Sequence, residues 1–259
     1  MSIPENLKAS EVASIAFVLI CCFAASLGMA FNIDGIKESF NLTNAYVGRL
    51  ISLEMFSIAL GNFFFARLTH KTNSKTVFFI GASIILLFNL LSILATEPFH
   101  LMFLRIPAGL ALGAVAATCA GRIAKSDKPD LNFGAINSAV GFMGVFMAFA
   151  LPRALRLDFS VTSSFDLTGI DGLYLIYSLC AFFALLVISR TPTDHIKKSQ
   201  VQGNSTKSSR IGWLALVGIG VMFFGHGTVG LFIVRIGREV GLRPENIGYI
   251  FICGTRVNN

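Results

Sequence analysis

The sequence predicts an all-α membrane protein: a six-helix transmembrane bundle followed by the first one to two helices of a second bundle. Three observations carry that prediction. Of the 259 residues, 54% are hydrophobic and only 14% are charged, where a soluble domain carries roughly 25% charged residues. The apolar residues fall in blocks of about 20, the length a helix needs to cross a hydrocarbon core. A polar stretch rich in Ser, Thr, Gln and Lys then separates the first six blocks from the rest.

The blocks lie near Ala13–Phe31, Tyr46–Ala66, Thr76–Ala95, Leu101–Cys119, Ile136–Leu151, Leu173–Ser189 and Ile211–Val234, with an eighth beginning at Ile247–Cys253. Backbone amides inside a bilayer must be satisfied within their own segment, so spans of this length are helices. Runs such as Phe78–Leu87 show no period-two alternation, which disfavours strands. The first block is longer than a signal-peptide core, and Glu5 and Glu11 flank it beside a single Lys8, so it reads as a retained span.

Orientation follows from the cations. With a cytoplasmic N-terminus, the inner segments hold Lys8, Arg67, Lys71, Lys75, Arg122, Lys125, Lys128, Arg190, Lys197, Lys198, Lys207 and Arg210. The outer segments hold Lys37, Arg49, Arg153, Arg156, Arg235, Arg238 and Arg243. Twelve against seven favours the N-in arrangement in a cell membrane. The net charge of +7 is thereby spent on topology and not on one basic face, so no nucleic-acid partner is expected. Cys21, Cys22, Cys119, Cys180 and Cys253 lie within or at the ends of apolar blocks without metal-ligand spacing, and read as small packing residues. Neither a metal nor a cofactor is expected. Asn41-Leu-Thr43 and Asn204-Ser-Thr206 match a glycosylation pattern too short to carry weight.

The organisation is three-part: a bundle over 1–190, a cytoplasmic linker over 191–210 in which Pro192 follows the sixth helix, and the start of a second bundle over 211–259. The second part repeats the first at an offset of 200 residues. Leu42-Thr-Asn-Ala-Tyr-Val47-Gly48 aligns with Leu242-Arg-Pro-Glu-Asn-Ile247-Gly248, and Ile36 with Ile236. Parallel repeats of this kind build transporters around a central site.

Two motifs sharpen the reading. Ala66-Arg67-Leu68-Thr69-His70-Lys71-Thr72-Asn73-Ser74-Lys75 joins the second and third helices, and Arg105-Ile-Pro-Ala108-Gly109-Leu-Ala-Leu-Gly113 lies in the fourth. The loop resembles the Gly-x-Leu-Ala-Asp-Arg-x-Gly-Arg-Arg/Lys signature of the major facilitator superfamily. Leu68, Lys71 and Lys75 fit, Ala66 and Asn73 stand where glycines are usual, and His70 replaces the acid. The fourth-helix run resembles that family's Arg-x-x-Gln-Gly motif. The Gly-Pro signature of its antiporters is not matched: Gly134, Gly141 and Gly144 are spaced differently and Pro152 stands alone. The resemblance implies two six-helix halves, of which this chain would hold the first and the beginning of the other, ending early in its eighth helix. It also implies transport of a small-molecule solute across the lipid bilayer by a secondary permease, ion- or proton-coupled, with a missing C-terminal half as partner.

Ionisable residues inside spans mark functional candidates, because charge in hydrocarbon is costly. Glu54 shares a helical face with Ser57 and Gly61, and is either a proton-coupling or solute-contacting carboxylate or a neutral acid bonded between helices. Arg105 shares a face with Ala108, Gly109, Leu112 and Ala116, and is either a counter-charge in a cavity or a snorkelling residue. His226, between Gly225 and Gly227, matches Ser26 under the 200-residue offset and is either a proton carrier or an interhelical hydrogen-bonding group. Asp34 and Arg49 are expected at the membrane interface, and Gly109, Gly113 and Ala116 are expected to permit close helix packing.

Three functions compete. A solute permease working by alternating access leads. An intramembrane enzyme would need a nucleophile–base or metal constellation, and the sequence has neither HExxH nor GxSxG. The third is a non-transporting fragment or membrane interaction protein. The sequence does not indicate the solute.

Overall fold

The computed structural model describes residues 7–68, 72–155, 159–162, 165–167 and 169–191, together with 234, 236, 237 and 239–242. Each of the first six apolar blocks is helical. The first is built of α1 (Ala9–Cys22), α2 (Ala24–Leu27) and α3 (Met29–Phe40) in direct succession. The next four are single helices: α4 (Asn44–Leu68), α5 (Ser74–Ile93), α6 (Pro98–Ile123) and α7 (Pro129–Ala154). The sixth block is α8 (Gly169–Ile188). All five of these longer helices have the length and composition to cross a membrane.

The ends are written locally. Glu11 returns its carboxylate to the Lys8 amide at 2.9 Å, closing the start of α1. Pro98 and Pro129 open α6 and α7, where a missing amide costs nothing. The Asn73 side chain caps α5 by accepting from the Lys75 amide at 2.9 Å. Its φ of −73° shows that this signature-loop position uses an asparagine for its oxygen, not for glycine-like backbone freedom.

α3 ends on Asn41, which is left-handed at φ 49°. The Leu42 amide there closes the Lys37 carbonyl at 3.1 Å, a Schellman arrangement. At the 200-residue offset Gly241 is left-handed at φ 85°, and the Leu242 amide closes the Gly237 carbonyl at 2.9 Å. The two repeats noted in the sequence thus end a helix with the same hydrogen bond at the same register.

Within the bundle α6 is central, packing on α4 along one side and on α5 along another. α8 packs on α5 and α1, and α7 touches α1, α2 and α8 more sparingly. The buried face of α4, Val47, Leu50, Ile51, Glu54, Ser57 and Gly61, follows helical spacing and contains the face expected for Glu54.

Three expectations are corrected or set aside. Asp34 is fully buried, not interfacial: the helix runs on to Phe40, nine residues past the expected end of the block, and α3 packs on α4 and α8. Arg49 is exposed, as an interfacial residue should be. Between α7 and α8 lies a short antiparallel hairpin, β1 (Phe159–Thr162) with β2 (Phe165–Leu167), which an all-helical prediction lacks. It falls in the connection between apolar blocks, where backbone groups are free to pair as strands. The linker beyond Thr191, most of the seventh block and the eighth lie outside the described residues.

Candidate functional site

The site begins with a glycine seam. A Cβ on Gly113 would run into the Ile58 carbonyl and the Asn62 amide, and one on Gly61 into the Leu110 carbonyl. A Cβ on Gly109 would lie 2.9 Å from the Glu54 carbonyl oxygen and 2.9 Å from Ser57 Cβ. α4 and α6 therefore meet backbone to backbone, as small residues allow in membrane helices. The expected packing role of Gly109 and Gly113 is what the structure shows.

That close approach brings Glu54 to Arg105, one turn before Gly109. Arg105 Nη1 lies 3.8 Å from Glu54 Oε1, and the two side chains are only 2% and 5% exposed. Arg105 Nη2 donates to Asn89 Oδ1 at 2.8 Å and to Ser92 Oγ at 3.0 Å, with a longer contact of 3.5 Å to the Phe88 carbonyl. Its guanidinium carbon stands 4.9 Å from the centroid of the Tyr174 ring, within cation–π range. Four helices thus converge on one cation: α4 supplies the carboxylate, α5 the amide and hydroxyl, α6 the arginine and α8 the aromatic face.

Such a pair is costly to take out of water, and the surrounding donors and acceptors offset part of that cost. The satisfaction is incomplete. Among the described residues Arg105 Nε and Asn89 Nδ2 have no hydrogen-bond partner. Ser57 Oγ turns back to the Leu53 carbonyl at 2.8 Å instead of joining the cluster.

Of the residues singled out in the sequence, the structure unites Glu54 and Arg105. Arg105 is buried in the bundle. Both side chains are enclosed between helices in this conformation. His226 lies outside the described residues, as do His70 and Lys71 of the signature loop. Ala66 and Leu68 form the last turn of α4. Lys75 reaches 2.9 Å across to the Ser189 carbonyl at the end of α8.

Sequence reasoning missed Asn89, Ser92 and Tyr174, and with them Asn32 and Tyr177. A signal was present. Asn89 and Ser92, and Tyr174 and Tyr177, stand at i, i+3 spacing, so each polar pair shares a helix face in an otherwise apolar run.

A bundle of long apolar helices with a buried ion pair at its centre is a polytopic membrane protein. The sequence matches the Major Facilitator Superfamily over residues 13–255, nearly the whole chain, and the chain belongs to that family. Among solved structures it is similar to the inward-open conformation of the xylose transporter XylE from E. coli, with a TM-score of 0.56 at 14% identity. The likeness covers 93% of this chain and 62% of that transporter, so the chain spans less than two thirds of its length. At that identity the likeness speaks for the fold. Among curated proteins there is no match.

Proposed function

We propose that the chain forms the first six-helix half, and the opening of the second, of a secondary permease that moves a small solute by alternating access. Membership of the superfamily supports the transport reading. The observation that carries the mechanism is the Glu54–Arg105 pair, buried at 3.8 Å among incompletely satisfied polar groups. A carboxyl group held beside a guanidinium inside the bundle can exchange a proton when the bundle opens to water, which couples solute movement to a proton gradient. A partly satisfied cluster also rearranges at lower cost than a closed one.

The test is accumulation and exchange of solute in cells or proteoliposomes, with the chain alone and joined to a complementing six-helix half. Glu54→Gln keeps the shape and hydrogen bonding but cannot ionise, so it should abolish proton-driven accumulation while sparing exchange. Normal accumulation with normal pH dependence in Glu54→Gln would make Glu54 structural and move the proton site to His226.

The proposed orientation is N-in at the cell membrane. Reporters fused after Ser126 and Ser205 should read cytoplasm, and those after Glu97 and Thr162 the other side; the reverse pattern would reject it. A second reading, a membrane interaction protein that does not itself transport, draws on the exposed face of α7, where Gly134, Gly141 and Gly144 meet nothing within 4 Å. Absence of transport with a complementing half present would favour it.

A further inference from the structure

The first membrane segment is interrupted twice, and the second interruption is held by atoms from across the bundle. At Gly28 ψ is 8°, far from the helical value of about −42°. Among the described residues no backbone amide closes the Ala25 carbonyl across this break. The Asn32 side chain does so instead, with Nδ2 donating to it at 3.2 Å. The other end of the same amide, Oδ1, accepts from the Tyr177 hydroxyl of α8 at 2.7 Å, a contact between residues 145 apart in sequence. Asn32 and Tyr177 are both buried.

Each atom has a reason to be there. An orphaned carbonyl in an apolar interior costs free energy until a donor reaches it. Asparagine is short, and carries a donor and an acceptor on one carbon, so it serves the carbonyl and the hydroxyl together. A Cβ on Gly28 would overlap the Tyr177 hydroxyl and Leu151 Cδ1, so these side-chain ends would have to shift to admit one. α7 and α8 thus press directly on the backbone at the break. Tyr177 also packs against Tyr174, ring centroids 6.2 Å apart and edge-on, and Tyr174 carries Arg105 over its face.

We propose that Asn32 and Tyr177 form a latch that holds the Gly28 break in this bent state, and that releasing the Tyr177 hydroxyl frees α3 to move against α1 and α2. The latch rests on the fold alone and stands whether or not the chain transports a solute. Asn32 and Tyr177 are positioning residues: they set the direction in which the first membrane segment continues.

The test is amide hydrogen exchange of the protein in lipid nanodiscs. Tyr177→Phe removes one oxygen and leaves the ring, and exchange over residues 25–32 should quicken about tenfold, the equivalent of one buried hydrogen bond. Asn32→Ala leaves α8 untouched, removes both bonds and should quicken the same segment at least as much. It also serves if Tyr177→Phe does not fold. Tyr174→Phe, a hydroxyl lost one turn away without touching Asn32, should leave residues 25–32 at the wild-type rate. Unchanged exchange there in both Tyr177→Phe and Asn32→Ala overturns the latch. So does a uniform rise across α4 and α6, which would mean a general loosening.

Discussion

α6 and α7 have the same length, 26 residues, and are equally apolar, yet 61% of the span in α6 is buried inside the bundle against 22% in α7. Both carry glycines. In α6, Gly109 and Gly113 are filled by the backbone of α4; in α7, Gly134, Gly141 and Gly144 meet nothing within 4 Å. The contrast teaches that hydropathy assigns a helix to the membrane but not to a place within it. In lipid an apolar side chain gains little by turning inward, so position is decided by close packing and by polar groups that need partners. α6 has both, in its glycines and in Arg105. α7 presents Phe142, Phe146 and Phe149 outward.

The largest way to break the comparison is to remove the charge that centres α6. Arg105→Ala strips Glu54, Asn89 and Ser92 of a shared partner, and breaking a buried pair in this way costs about 3–5 kcal/mol. Thermal unfolding in detergent should show that loss, whereas Arg153→Ala, at an exposed position in the last turn of α7, should shift stability by no more than about 0.5 kcal/mol. Equal shifts would mean that the Arg105 cluster does not organise the bundle.

The second test acts on the glycines. Gly113→Leu must push α4 away from α6, at a cost of about 1–3 kcal/mol or more, and should shorten the lifetime of the purified bundle. Gly141→Leu adds the same side chain to the open face of α7 and should leave the isolated chain within about 0.5 kcal/mol of wild type. If a complementing half packs on that face, Gly141→Leu should instead impair association with it, read by co-purification. Comparable destabilisation by both substitutions in the chain alone would remove the distinction between the two helices.

How much of this was legible beforehand follows the same division. The first six apolar blocks were, because hydrocarbon thickness fixes how long a span must be. So were the faces Glu54–Ser57–Gly61 and Arg105–Ala108–Gly109–Leu112–Ala116, because helical spacing fixes what lies together, and all of these residues but the half-buried Ala116 are buried. The partners of Arg105 were not. Asn89, Ser92 and Tyr174 are uncharged and cost little in an apolar run, so the i, i+3 spacing of the polar pairs Asn89–Ser92 and Tyr174–Tyr177 is their only mark, and it does not say which helices they bring together. The break at Gly28 escaped for a related reason: no proline announces it, and the side chains that lie against that glycine, Tyr177 and Leu151, come from distant parts of the chain. Asp34 was misplaced because its block was ended at Phe31, nine residues before the helix stops.

The smallest expected effect concerns the helix ends. Lys75 and Arg153 each give a side-chain hydrogen bond to a carbonyl, but to different purpose. Arg153 Nη1 donates to the Phe149 carbonyl of its own helix at 2.6 Å. Lys75 Nζ donates from the start of α5 to the Ser189 carbonyl just past α8 at 2.9 Å, and so ties two helices where the chain leaves the bundle. A cation near a helix C-terminus is worth about 0.3–1 kcal/mol when exposed, and less in salt. Lys75→Met keeps the apolar stem and removes the charge. It should therefore quicken hydrogen exchange at Val187–Thr191 a few-fold, in line with that energy, and the difference should shrink as ionic strength rises. Arg153→Met should quicken only the last turn of α7 and leave every other helix at its own rate. If Lys75→Met leaves residues 187–191 unchanged at low salt, the signature-loop lysine does not anchor α8, and the contact with Ser189 adds nothing to the hold that packing of α5 on α8 already provides.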